Sequence, residues 1–209
     1  MIRLSVRAAL LVATLVLPAA AQVQAFGVNS ERGASTRVFA ANNTYSFVCV
    51  QYGQPMWKDS YDAQAEKMKG ATGRLGKDFW TTFNTGVARN IGGADVALGA
   101  YYLGIACSKD GQWSLLVIDA VTADKNAWNP LSGDALKAVA TCPLTKGMSE
   151  NSVEKLSIDI AGESKEPTQF SFNIAWGKHT LTAAATAKLA GGNQKSAEPA
   201  AAHPAPAKK

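Results

Sequence analysis

Between Tyr45 and Ala184 the apolar residues come in short runs, most of them stopped by glycine, proline, asparagine or aspartate. Runs of that length suit strands. A parallel α/β sheet would need long amphipathic helices between them, and the sequence shows none. The clearest pair is Ala100–Ala106 and Trp113–Ile118, flanking Ser108-Lys109-Asp110-Gly111. An Asp-Gly step accepts the positive φ that closes a tight hairpin. Tyr45–Gln51 is aromatic and β-branched and stops at Tyr52-Gly53-Gln54-Pro55, Phe79–Asn84 reads as a strand, and Asp95–Leu98 as a short one. Ala135–Thr141 fits strand or helix, with Pro143 as its end. In Val153–Ile160 apolar and polar residues alternate apart from one slip around Lys155. Thr168–Trp176 places Phe170, Phe172, Ile174 and Trp176 on one side, and Gly177-Lys178 reads as a turn into His179–Ala184. The expectation is an all-β fold, an antiparallel β-sandwich of about eight short strands.

One helix interrupts this pattern, over Asp59–Lys69. Asp59 or Ser60 caps it, Tyr61, Ala65 and Met68 share a face, and Gly70 and Gly73 end it. Thr122–Ser132 is polar and reads as a loop or one short helical turn.

The two ends differ from the middle. Arg3 and Arg7 precede the uncharged run Ala8–Leu17, then Pro18 and Ala19-Ala20-Ala21. A basic head, an apolar centre and small residues before a cleavage point make residues 1–25 a signal peptide, cut after Ala21 or Ala25. The run is shorter than the roughly 20 residues a permanent membrane helix needs. The expected location is therefore exported, periplasmic or extracellular. Residues 26–43 read as a loose N-terminal segment, 44–189 as the β-sandwich domain, and the Ala/Pro/Lys-rich 190–209 as a disordered tail.

The net charge of +5 suggests a basic protein, but the ends carry most of it. The leader holds two arginines, and the tail three lysines against one glutamate, which leaves sixteen basic and fifteen acidic residues between. Nucleic-acid binders concentrate Lys and Arg on the folded surface, and here they are scattered singly along the chain. No nucleic-acid partner is expected. Cys49, Cys107 and Cys142 are candidates for one disulfide at most, since an odd count leaves a thiol over. No transmembrane segment is expected after signal cleavage.

The order of several motifs adds a resemblance. Tyr52-Gly53-Gln54-Pro55, Leu75-Gly76-Lys77 before Trp80, Leu98-Gly99-Ala100-Tyr101-Tyr102-Leu103-Gly104-Ile105 and Trp113-Ser114-Leu115-Leu116-Val117-Ile118 occur in sequence. Val153-Glu154-Lys155-Leu156-Ser157-Ile158 and Phe172-Asn173-Ile174-Ala175-Trp176-Gly177-Lys178 complete the series. Over residues 45–185 the chain resembles the exported bacterial proteins grouped as domain of unknown function 2911. The resemblance implies an exported β-rich domain with no established activity. It also implies a polar Arg-Thr-Gly-Ala-Asn-Glu-Ala stretch after the Trp, where this chain has Thr81-Thr82-Phe83-Asn84-Thr85-Gly86-Val87, and it marks the helix at Asp59–Lys69 as an addition.

Few residues carry recognisable chemistry. Gly70–Asp78 lacks the spacing of a phosphate-cradling loop and ends in an acid where Ser or Thr would hold magnesium, so it reads as a turn. A histidine-dependent site would have to use His179, because His203 lies in the tail. Asp59, Asp62, Glu66, Asp119 and Asp124 are candidates for paired-carboxylate hydrolysis. Trp113 and Trp176 fall in strand patterns and read as core, whereas Trp57 and Trp128 fall in loops, Trp57 near Tyr61. Loop aromatics at one end of a sandwich can stack on sugars or pack on peptides. Trp57, Tyr61 and Trp128 are therefore the expected contacts of a non-catalytic module that binds a small envelope ligand, glycan or protein. The alternatives are a histidine-independent hydrolase and a structural envelope protein. No metal or cofactor is expected.

Overall fold

The computed structural model describes residues 31–189 apart from 42, 133–135 and 164, and the side chains of 64 and 65 are not described. The segments expected to be a signal peptide and a disordered Ala/Pro/Lys tail lie outside the described residues. Ten strands form one antiparallel sheet: β1 (Arg32–Ala41), β2 (Thr44–Gly53), β3 (Ala71–Arg74), β4 (Lys77–Thr85), β5 (Ala88–Ile91), β6 (Ala94–Val96), β7 (Gly99–Cys107), β8 (Trp113–Asp119), β9 (Ala140–Ala161) and β10 (Gln169–Lys188). Their order is β1-β2-β4-β7-β8-β9-β10-β5-β6, with β3 beside β7. The fold is the expected antiparallel sandwich, with ten strands rather than eight.

The sheet folds over on β9. Residues 140–144 of β9 pair with β8, and residues beyond them pair with β10. The layer β1-β2-β4-β7-β8 therefore faces the layer β9-β10-β5-β6 across one core. Phe83 meets Phe172 edge-on at 6.1 Å, and Phe39 meets Phe170 at 5.9 Å. At the open side Ser35 Oγ donates to Asp159 and accepts from the Ile160 amide, while the Tyr52 hydroxyl accepts from the Ile158 amide. In β8, Leu115–Ile118 is buried throughout. Its outer face is covered by α2 (Ala120–Lys125) and Trp80, so the run need not alternate.

Four local expectations are corrected. The segment expected to be loose contains β1, which pairs with β2 along all ten residues, and Asn43 at φ 59° helps to close the hairpin. An edge strand needs little apolar content when its backbone pairs fully, and only Phe39 of β1 is buried. Pro143 does not end a run but sits within β9, beyond the last β9–β10 pair at Thr145–Thr182, where its missing N–H removes no bond to β10. Gly70–Asp78 contains β3 before it turns at Leu75-Gly76. Gly177-Lys178 is not a turn: Gly177, at φ 60°, is a bulge inside the continuous β10. The inserted helix is a 3₁₀ turn, Asp59–Tyr61, leading into α1, Asp62–Lys67, and Gly70 follows at φ 77°.

Candidate functional site

The slip in alternation around Lys155 is the origin of the site. From Ser157–Ala175 to Val153–Gly177 the β9–β10 register shifts, because the stretch around Lys155 pairs elsewhere. Trp57 donates its amide to the Glu154 carbonyl, the Leu156 amide donates to the Pro55 carbonyl, and Met56 bridges Lys155. A short piece of chain is thus spliced between the long strands. It carries Trp57 over Gly177, where an added Cβ would lie 2.4 Å from the indole. The glycine is required twice, for its positive φ and for the ring that covers it.

Around this splice four rings pack together. Trp57 meets Trp176 edge-on at 5.1 Å, Tyr61 at 5.9 Å and His179 at 5.4 Å, and Tyr61 lies 4.9 Å from Trp176. Trp176 Nε1 donates to the Pro55 carbonyl at 2.9 Å. His179 Nε2 meets Asp62 Oδ1 at 2.6 Å and ties α1 to β10, while the buried Nδ1 of the same ring has no hydrogen-bond partner.

Beneath these rings lies a cavity of about 740 Å³ that opens to solvent. Its floor is the buried interior of the sandwich, where Leu75, Ile105, Leu156 and Ile174 line it. Trp57, Tyr61 and Met68 form the wall from the inserted segment, and Trp113, Trp176 and Leu181 that from the strands. Its cations are Lys58, Arg74, Lys77 and Lys146, of which the three lysines are exposed and Arg74 is half-buried. Among the described residues no carboxylate lines it. Among the described residues none of the four cations makes an ion pair: Asp62 is engaged by His179 and Glu66 by Lys69, whose ammonium holds the Glu66 carboxyl below its ordinary range. Lys77 stands at a bulge between β2 and β4, and Asp78 and Phe79 behind it both have left-handed φ, 54° and 67°.

The structure brings Trp57 and Tyr61 to this cavity, but not Trp128. Trp128 is half-buried against Trp80, Ile118 and Ala123 in a separate cluster, where Trp80 stacks on Tyr102 at 4.6 Å. Trp113 and Trp176, expected in the core, are only partly buried and line the cavity. Sequence reading gave no binding role to Lys58, Arg74, Lys77 or Lys146; Arg74 and Lys77 stand three residues apart in the stretch read as a turn, and the fold brings Lys58 and Lys146 to them. The carboxylate candidates are mostly occupied: Asp119 caps α2, accepting from the Thr122 amide at 2.7 Å, and the Thr122 side chain and then its amide lower the carboxyl's pKa, while Asp124 accepts from the Tyr102 hydroxyl. Among the described residues no three His, Cys, Asp or Glu side chains cluster as metal ligands, and no helix is long and apolar enough to cross a membrane.

All three cysteines are free thiols. Cys107 and Cys142 point into the same face but pair with Trp113 and Leu115 of the strand between them, which sets them two strand spacings apart, roughly 10 Å. That exceeds the reach of a disulfide. Cys49 pairs with Asn84, near the opposite end of the β4–β7 ladder from Cys107.

The polar stretch implied after Trp80 is here an interior strand. Thr81 donates to the Leu75 carbonyl and Thr85 to that of Val87, both buried. No curated protein and no solved structure matches the sequence. A family described as protein of unknown function (DUF2911) matches residues 35–184, from the first strand to the last, and the chain belongs to that family.

Proposed function

We propose that this domain is a non-catalytic binding module whose cavity takes a small, largely apolar ligand. The observation that carries this reading is an aromatic-walled opening of about 740 Å³ into the sandwich interior, within the size range of small-molecule sites. A sandwich core is ordinarily packed without voids. Here the inserted segment holds one end open, and the Asp62–His179 pair fastens it there.

Titration with N-phenyl-1-naphthylamine, a neutral apolar fluorophore, tests it. Saturable binding at one site per chain is expected, lost when Leu181→Trp fills the cavity and circular dichroism is unchanged. Binding indifferent to Leu181→Trp overturns the reading, as does the absence of saturable binding by this probe and by dodecyl amphiphiles of every head charge.

The leader-like Met1–Ala25 supports a place for this module outside the cytoplasm, in the bacterial envelope. Mass spectrometry of protein recovered from the periplasm or medium is expected to find a chain beginning at Gln22 or Phe26. A cytoplasmic chain that retains Met1–Ala25 refutes export.

A further inference from the structure

We infer that the ligand is an amphiphile with an anionic head, its apolar tail in the sandwich and its head at the mouth. The inference rests on the binding role proposed above and names the ligand's chemistry. Polarity is divided along the cavity. The floor residues Leu75, Ile105, Leu156 and Ile174 are buried and apolar, whereas Lys58, Lys77 and Lys146 are exposed and Arg74 is half-buried. Four cations therefore share one opening; among the described residues no carboxylate lines it and none of the four makes an ion pair.

A neutral apolar ligand would leave these charges uncompensated beside newly dried surface, which opposes binding. A carboxylate or phosphate head would accept charge-assisted hydrogen bonds from them at the point where the tail leaves water. A cationic head would be repelled by the same four side chains. The segregation also argues against a sugar, which presents hydroxyls along its whole length and would leave them unmatched on the apolar floor.

Isothermal titration calorimetry on the chain lacking Met1–Ala25 separates the possibilities, with dodecanoate, dodecyl phosphate, dodecanol and dodecyltrimethylammonium each below its micelle concentration. At least one anion is expected to bind tenfold or more tighter than dodecanol, the ammonium compound most weakly, and added salt should narrow the difference. In the Arg74→Met/Lys77→Met variant the ratio of anion to alcohol affinity should fall towards one. Which anion binds distinguishes a free fatty-acid carboxylate from a phosphate-bearing lipid head. Dodecanol binding as tightly as both anions overturns the anionic head and leaves the cavity's binding role intact. Failure of all four compounds and of the neutral fluorophore overturns both.

Discussion

Replacing Gly177 by alanine should destabilise the domain by two separable effects. Gly177 has φ 60°, and a left-handed conformation costs an L-residue about 1–2 kcal/mol. The new methyl would also start 2.4 Å from the Trp57 ring, which must shift, and overpacking of that kind typically costs about 1–3 kcal/mol. Together they predict a loss of about 2–5 kcal/mol, or roughly 5–15 °C in Tm for a domain of this size. Gly93→Ala supplies the control, since Gly93 has φ 91° but no atom within 4 Å of an added Cβ. It should show the conformational cost alone. Chemical denaturation of both variants, and of Gly177→Ala in a Trp57→Ala background, isolates the ring contact. In that background the Gly177→Ala penalty should fall to the Gly93→Ala value. Equal penalties for Gly177→Ala and Gly93→Ala in the otherwise natural chain would show that Trp57 does not lie over the bulge, and the account of the cavity wall would fail with it.

Asp62→Asn should cost less than about 1 kcal/mol in denaturation, as the loss of a partly exposed surface pair does, yet weaken binding of the naphthylamine probe by loosening α1 from β10; undiminished binding would remove the fastening role. Arg89 is fully buried, with Phe83 beneath its guanidinium and Nε and Nη1 unpartnered, and burial lowers its pKa to about 10. Arg89→Met should therefore leave stability unchanged or raise it by up to about 4 kcal/mol in urea melts, and a strongly destabilised variant would reveal a partner for the charge. Burial raises the Cys142 thiol to about 11. The folded chain thus keeps a proton that the unfolded chain releases near pH 9, so stability should fall between about pH 9 and 11, by at most about 1.4 kcal/mol per pH unit from this group. Cys142→Ala should flatten that decline, and an identical pH profile would contradict it. A thiol reagent should label the half-buried Cys49 first in the native chain and all three cysteines in denaturant without reductant; a single labelled thiol in denaturant would demonstrate a disulfide.

The parts of this fold that sequence could show were those set by local chemistry. Asp110-Gly111 announced the β7–β8 hairpin because the turn needs a positive φ, and Gly111 adopts 82°. The alternation of Phe170, Phe172 and Ile174 announced a core-facing strand, and all three are buried. What sequence hid was set by pairing between distant segments. Arg32–Ala41 is too polar to advertise a strand, and its structure comes from β2. Gly177-Lys178 is a plausible turn by composition; only the splice of residues 55–57 against β9, and the ring it delivers, makes it a bulge instead. Trp57 was legible as a loop aromatic, and Tyr61 as its neighbour on the inserted helix. Trp128 offered the same signal, but the Trp80 cluster absorbs it.

Charge shows the same limit in a sharper form. Summed along the chain, Lys and Arg nearly balance Asp and Glu between the two ends, and singly placed lysines suggest no binding surface. Folding does not preserve that spacing, except that Arg74 and Lys77 are already three residues apart. Lys58 arrives with the inserted segment, Arg74 with β3, Lys77 with the start of β4 and Lys146 with β9, and the four converge on one opening. The nearby acids are drawn aside, Asp62 to His179 and Glu66 to Lys69. Near-neutral composition and a locally basic mouth are therefore compatible. The convergence of four cations on one opening favours one small anion at the entrance of an apolar cavity.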